Sequence, residues 1–244
     1  MILTADNASA NNISLIDCSF QSNNASWGGA LEVYSVPLTG RSLKYLNHIV
    51  ISKCIFQNNT ATNGAALNIF CRSASTSPEM CNTLPFIQDS NFTQNGQHKP
   101  LSSHNQTTGI ITTVVAVSNF PTRLSGILYF FNNIGSPLHV METSVTLHEN
   151  TTLVFSENMA QNGGAISLYG AWITVSNNSV VIFHKNKAMN KGGAIFAQQT
   201  KEAYVPYSHN CFIRYKQYIP PWSWGSTFSF VNNTAGKHKN AIYP

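Results

Sequence analysis

One unit recurs along this chain and limits what it can fold into. It runs Phe20, Asn23, Ala25, Gly28, Gly29, Ala30, Leu31, and returns in the same register at Phe56, Asn59, Ala61, Gly64, Ala65, Ala66, Leu67. Phe155, Asn158, Ala160, Gly163, Gly164, Ala165 and Ile166 repeat it. Phe183, Asn186, Ala188, Gly192, Gly193, Ala194 and Ile195 follow with one residue inserted. Phe230, Asn233, Ala235, Ala241 and Ile242 keep that insertion, with Lys239 and Asn240 in place of the glycines. Two degenerate copies, Phe92 with Asn95 and Phe130 with Asn133, complete seven Phe-x-x-Asn units. A supersecondary unit repeated at such spacing cannot bury its apolar side alone, so copies must stack into a solenoid.

The tightest spacings are 25 residues (Phe130 to Phe155) and 28 (Phe155 to Phe183); the others run from 36 to 47 and leave room for inserted loops. Between Gly164 and Asn186 lie three strand-like runs, divided at Gly170-Ala171 and Asn177-Asn178. Three strands and three corners make one turn of a triangular coil. Apolar residues alternate in these runs: Ile16, Cys18 and Phe20 on one side, Asp17 and Ser19 on the other. Leu31 and Val33 flank Glu32, Leu67 and Ile69 flank Asn68, and Ile166 and Leu168 flank Ser167. Period-two alternation puts the Phe and Leu/Ile series inside and the intervening residues outside. The motif Asn, tolerant of left-handed backbone, is expected to end the Phe strand and could stack as a side-chain ladder. Gly-Gly supplies positive φ and close approach between coils. The expectation is an all-β, right-handed parallel β-helix spanning residues 1–244 as a single domain. It should have about seven coils, with loop insertions near 35–48, 71–85, 96–109 and 198–224.

Composition agrees. Hydrophobic residues make up 43% and charged residues only 9% of the 244, so Asn, Ser and Thr must provide the polar surface. The formal charge of +5 is uneven: eight of fourteen Lys and Arg lie from Lys185 onward, with Glu202 the only acid there. Such an end can attract acidic partners or be a solvated face. No nucleic-acid-binding module accompanies it, so nucleic acid is not an expected partner. No apolar run reaches the length of a membrane span, so no transmembrane segment is expected in this chain.

Nine Asn-x-Ser/Thr sequons begin at Asn7, Asn12, Asn24, Asn58, Asn91, Asn105, Asn150, Asn177 and Asn232. Their density fits a glycosylated extracellular or cell-surface protein. Cys71 and Cys81 bracket a polar loop that a disulfide would close. The start at Met1 has no secretion signal, so the expectation is a fragment of a longer protein. Cys18 and Cys54 share the position two before Phe; free thiols and a bridge are both open there. Trp222 and Trp224 suit either a packed loop or sugar stacking.

Gly-Gly-Ala-Leu/Ile paired with Phe-x-x-Asn resembles the repeat of the chlamydial polymorphic outer-membrane proteins. It looks still more like the related β-helix repeat proteins of invertebrate animals. The resemblance is clearest over 13–70 and 151–243. It implies a surface protein; the bacterial proteins are autotransported adhesins, but their C-terminal membrane barrel has no counterpart here. In the animal proteins a further cysteine often follows the segment containing Cys211, which implies a partner for Cys211 beyond Pro244.

Parallel β-helices also carry polysaccharide lyases and glycoside hydrolases, which need clustered carboxylates, or calcium with a basic residue. The nine acids are Asp6, Asp17, Glu32, Glu79, Asp89, Glu142, Glu149, Glu157 and Glu202, and no two are adjacent or two apart. Asp17, Lys53 and Asp89 hold equivalent places and could form a surface charge ladder. No metal, phosphate or nucleophile motif is present. No catalytic residue, cofactor or metal is therefore expected. The leading reading is a non-catalytic recognition or adhesion scaffold for an unidentified protein or glycan. A carbohydrate-active enzyme and a glycosylated spacer are the alternatives.

Overall fold

The structure is a computed structural model that describes residues 1–5, 12–35, 47–71, 83–96, 113–198, 213–214, 226–236 and 242–243. Its strands are numbered in chain order. Three long sheets run side by side, and the described strand pairs within them are parallel. Sheet A holds β1 (Ile2–Ala5), β4 (Leu31–Ser35), β7 (Leu67–Cys71), β10 (Thr113–Ser118), β13 (Ser136–Met141), β17 (Ile166–Tyr169), β21 (Ile195–Gln198) and β25 (Ile242–Tyr243). Sheet B holds β2 (Asn12–Ile16), β5 (Asn47–Ser52), β8 (Thr83–Gln88), β11 (Thr122–Ser125), β14 (Ser144–Leu147), β18 (Trp172–Val175) and β22 (Ile213–Arg214). Sheet C holds β3 (Ser19–Gln21), β6 (Ile55–Gln57), β9 (Asn91–Thr93), β12 (Ile127–Phe131), β15 (Thr152–Ser156), β19 (Val180–His184) and β23 (Thr227–Val231). Each coil contributes one strand to each sheet in turn, which is the parallel β-helix that the repeat requires.

The cross-section is less simple than a triangle. A fourth, three-stranded sheet pairs β16 (Met159–Asn162), β20 (Lys187–Lys191) and β24 (Thr234–Ala235). These residues carry the Ala and the polar run between Asn and Gly-Gly. That side lies where period-two alternation points only to a corner. The insertion bounds also move: β5 begins at Asn47, β8 at Thr83, and β22 falls within the segment expected to be an insertion at 198–224. Most of the expected insertions otherwise lie outside the described residues.

The core follows the repeat. Phe20, Phe56, Phe92, Phe130, Phe155, Phe183 and Phe230 form one column, with successive ring centroids 4.7–5.4 Å apart and rings tilted by only 6–14°. In-register pairing forces this, because Phe faces Phe across each neighbouring strand of sheet C. The five inner rings are fully buried, each worth roughly 1.5–3 kcal/mol of burial. Leu31, Val33, Leu67, Ile69, Ile166 and Leu168 face inward from sheet A as expected. The residues between them do not all face solvent: Asn68, His139 and Ser167 are buried too, so alternation described sheet A correctly only on its inner side.

The motif Asn forms the side-chain ladder expected of it, but it is not the left-handed residue of the turn. The left-handed residue is the one before it: Ser22, Asn58, Gln94, Asn132, Glu157, Lys185 and Asn232 have φ of 51–58°. Only three of these are Asn, so the turn does not need that side chain. The recurrent Asn is required for hydrogen bonding. Asn59 Oδ1 accepts from the backbone N–H and the side-chain amide of Asn23, at 3.0 and 2.8 Å. Its Nδ2 donates to Asn95 Oδ1 at 2.9 Å and to the Phe20 carbonyl at 2.9 Å. The pattern continues through Asn95, Asn133, Asn158, Asn186 and Asn233. Each interior Asn thus ties three coils together and satisfies backbone groups that a bare turn would leave orphaned.

The glycine pair divides its work. The first has positive φ (54° at Gly28, 60° at Gly64 and Gly163, 65° at Gly192). The second is a close contact: a Cβ on Gly29 would lie 2.2 Å from the Ala65 carbonyl oxygen, and one on Gly164 would lie 2.2 Å from that of Gly193.

Candidate recognition surfaces

The scaffold consumes the repeated residues, so candidate sites must lie outside them. Seven sequon asparagines fall within the described residues: Asn12, Asn24, Asn58, Asn91, Asn150, Asn177 and Asn232. All seven are exposed. The ladder asparagines form a separate population. Asn59, Asn95, Asn133, Asn158 and Asn186 are buried, and none of the seven ladder positions begins an Asn-x-Ser/Thr triplet. Asn58 and Asn232 sit at the turn that follows sheet C, Asn150 and Asn177 at the turn that precedes it, and Asn91 within it. No described strand of sheet A contains a sequon Asn. Asn7 and Asn105 lie outside the described residues, as do Cys81, Cys211, Trp222 and Trp224.

Cys71 closes β7 and is buried. Its expected partner, Cys81, is outside the described residues, so that bridge stands as a proposal. Cys18 and Cys54 stack in adjacent coils, as their shared register predicts, and both are free thiols. The Cys54 thiol lies 3.3 Å from the Ser52 carbonyl oxygen and 3.4 Å from that of Leu15. Burial pushes the Cys54 thiol up from its ordinary pKa, against backbone hydrogen bonding at Cys18 and Ser52 that favours the thiolate. A thiol so placed is a packed core group with little thiolate character.

The anticipated Asp17-Lys53-Asp89 charge ladder does not form. The three residues share one turn position, each with left-handed backbone (φ 54°, 54° and 47°). No ion pair joins them; among the described residues the salt bridge is Lys185 to Glu157, at 3.7 Å between exposed side chains. Asp89 Oδ1 instead accepts from the Ile127 backbone N–H at 2.8 Å. A carboxylate beside a free N–H gains more there than from an exposed lysine one coil away.

Two sheet faces stand out. On sheet A, His139 is buried and its Nδ1 lies 2.8 Å from Ser167 Oγ, which donates to Ser136 Oγ at 2.8 Å. Burial lowers the His139 pKa to about 4, so the imidazole is neutral at physiological pH. Among the described residues no carboxylate touches it, and the group reads as a satisfied polar row. Sheet C is different. Its strands contain no Asp, Glu, Lys or Arg. Ile127, Tyr129 and Phe131 of β12 point outward and remain 48%, 45% and 42% exposed, and Ile55 of β6, two strands away across Asn91, is exposed as well. Nothing in the periodicity singles out this patch, although the unbroken apolar run of β12 was its visible signal.

Among the described residues no three His, Cys, Asp or Glu converge on a point that could hold a metal, and no helix there is long and apolar enough to cross a membrane. The family model described as the Chlamydia polymorphic membrane protein (Chlamydia_PMP) repeat matches residues 173–198. That segment runs from β18 through the Phe183–Asn186 corner and Gly192-Gly193 to the end of β21, about one full coil. No curated protein and no solved structure matches the chain. The chain is therefore an all-β parallel β-helix in which one coil is similar to that repeat.

Proposed function

We propose that this protein is a non-catalytic, glycosylated scaffold for recognition or adhesion at the cell surface or in the extracellular space. The observation that carries this reading is the division of labour between repeat and surface. Phe, Asn and Gly-Gly are committed to stacking, while the seven described sequon asparagines all lie in solvent. The matched repeat belongs to a family whose name places it in membrane proteins; the sequons and cysteines make the animal repeat proteins the nearer analogy. Residues 1–244 would act as one domain, presenting irregular loops and flat faces to a protein or glycan. No cofactor enters this reading. The test is saturable binding of the purified chain to intact cells and to arrayed glycans and surface proteins, alongside incubation with polysaccharides. Binding that is lost when a loop outside the coils is replaced, with no release of sugar products, supports the scaffold. Release of oligosaccharide products would support a carbohydrate-active enzyme, and absence of any saturable binding would leave only a spacer.

A further inference from the structure

Asn91 differs from the other described sequon asparagines in what stands beside it. It opens β9, an interior strand of sheet C, whereas Asn12 opens β2 of sheet B opposite His48 and the rest lie outside the strands. Asn91 pairs with Tyr129, Phe92 with Phe130, and Thr93 with Phe131. Neighbouring strands are about 4.8 Å apart, and residues in register project from the same face. The Asn and Thr of the sequon therefore stand one strand away from two outward aromatic rings, which remain 45% and 42% exposed. An exposed apolar patch on a charge-free sheet is a liability for aggregation unless something covers it.

We propose that Asn91 carries an N-linked glycan whose first sugar lies over the Tyr129 ring and covers this patch. The proposal rests on the secretory reading above. The transfer is from a lipid-linked oligosaccharide diphosphate: the Asn91 amide nitrogen bonds to the anomeric carbon, and the bond from that carbon to phosphate oxygen breaks. The lipid diphosphate leaves and the amide nitrogen gives up one proton. A pyranose has an apolar C–H face that matches an aromatic ring, and its hydroxyls keep the outer side wet. The backbone that carries the ring is fixed, because Tyr129 sits on a strand paired on both sides. A sugar tethered one strand away needs no separate association, which favours it over a free polysaccharide. The sequons at turns have no such neighbour in register.

The test uses the full-length protein from its own cells, and a secreted recombinant form for variants. Mass spectrometry of glycopeptides reads occupancy at Asn91. Thermal midpoints are then compared for the wild type, N91Q, Y129S and the double variant; Tyr129 is exposed, so Y129S should fold. The expected result is an occupied Asn91, a midpoint lowered by roughly 2–4 °C in N91Q, and no further fall when N91Q is added to Y129S. Trimming to a single sugar should keep the effect, and complete removal should abolish it. Equal shifts in the two backgrounds would overturn the proposal. So would an empty Asn91 with glycans at Asn58, Asn150 or Asn177, while leaving secretion standing. No occupied sequon in the protein from its own cells would overturn both.

Discussion

Replacing Asn133 by Ala should open the solenoid at its centre. Asn133 Oδ1 accepts from the Asn95 backbone N–H at 2.9 Å and from Asn95 Nδ2 at 3.3 Å. Its Nδ2 donates to the Phe92 carbonyl at 2.9 Å and to Asn158 Oδ1 at 2.9 Å. Two of these partners have other bonds: Asn95 Nδ2 still donates to the Phe56 carbonyl, and Asn158 Oδ1 still accepts from the Asn133 backbone. The Asn95 N–H and the Phe92 carbonyl lose these side-chain partners. Each such loss in a buried site costs about 1–3 kcal/mol, so Asn133→Ala should cost about 2–6 kcal/mol. Total domain stability is about 5–15 kcal/mol, and a solenoid is held only by neighbouring repeats. The loss should therefore uncouple the two halves of the stack. Denaturant unfolding followed by far-UV circular dichroism reads the cost, and amide exchange at β9 and β12 reads where it falls. The control is Asn132→Gly, one residue away, exposed and with φ of 51°, which should stay within about 0.5 kcal/mol. Equal effects of the two substitutions would refute the ladder as the element that joins the coils.

Three further outcomes follow from the same geometry. Gly164→Ala puts a Cβ 2.2 Å from the Gly193 carbonyl oxygen and should destabilise by about 3 kcal/mol, at the upper end of overpacking costs; a neutral effect in urea unfolding would show that adjacent coils are free to spread. His139 is held neutral by burial, with its pKa lowered from 6.5 to about 4. The unfolded chain binds its proton first, so stability should fall as pH drops from about 6.5 toward 4, by about 3 kcal/mol in all; unfolding curves of His139→Asn should lack that component, and an unchanged pH dependence would contradict it. Cys54 is fully buried and Cys18 only partly so, so iodoacetamide should label Cys18 in the native protein and Cys54 only on unfolding, read by peptide mass mapping; prompt labelling of Cys54 would mean the N-terminal coils are open.

Much of the scaffold was legible because one residue type served one purpose in every coil. Phe marked the inner column, and Gly-Gly marked where coils touch. The ladder follows from the recurrent Asn, but the left-handed turn that the motif Asn suggests belongs to the residue before it. That position tolerates Ser, Gln, Glu and Lys as well as Asn, so composition held no signal for it. The degenerate copies at Phe92 and Phe130 are structurally as regular as the others, because the ladder and the ring column need only Phe and Asn. Their missing Gly-Gly is tolerated where Gly96 and Gly135 take positive φ in a different local arrangement. The fourth sheet and the burial of Asn68 and Ser167 were invisible, since both depend on what packs beyond a single strand. The sequons were visible one by one. Their separation from the ladder asparagines emerged only once burial was known, as did the pairing of Asn91 with Tyr129.

Labelling of intact cells decides whether this scaffold faces outward. Living source cells carrying the tagged full-length protein would be treated with a membrane-impermeant lysine reagent, then lysed and mapped by mass spectrometry. A surface-facing domain is labelled at exposed Lys53, Lys185 and Lys187, to the same extent before and after permeabilisation. Label that appears only after permeabilisation would place the domain inside the cell and rule out a surface scaffold.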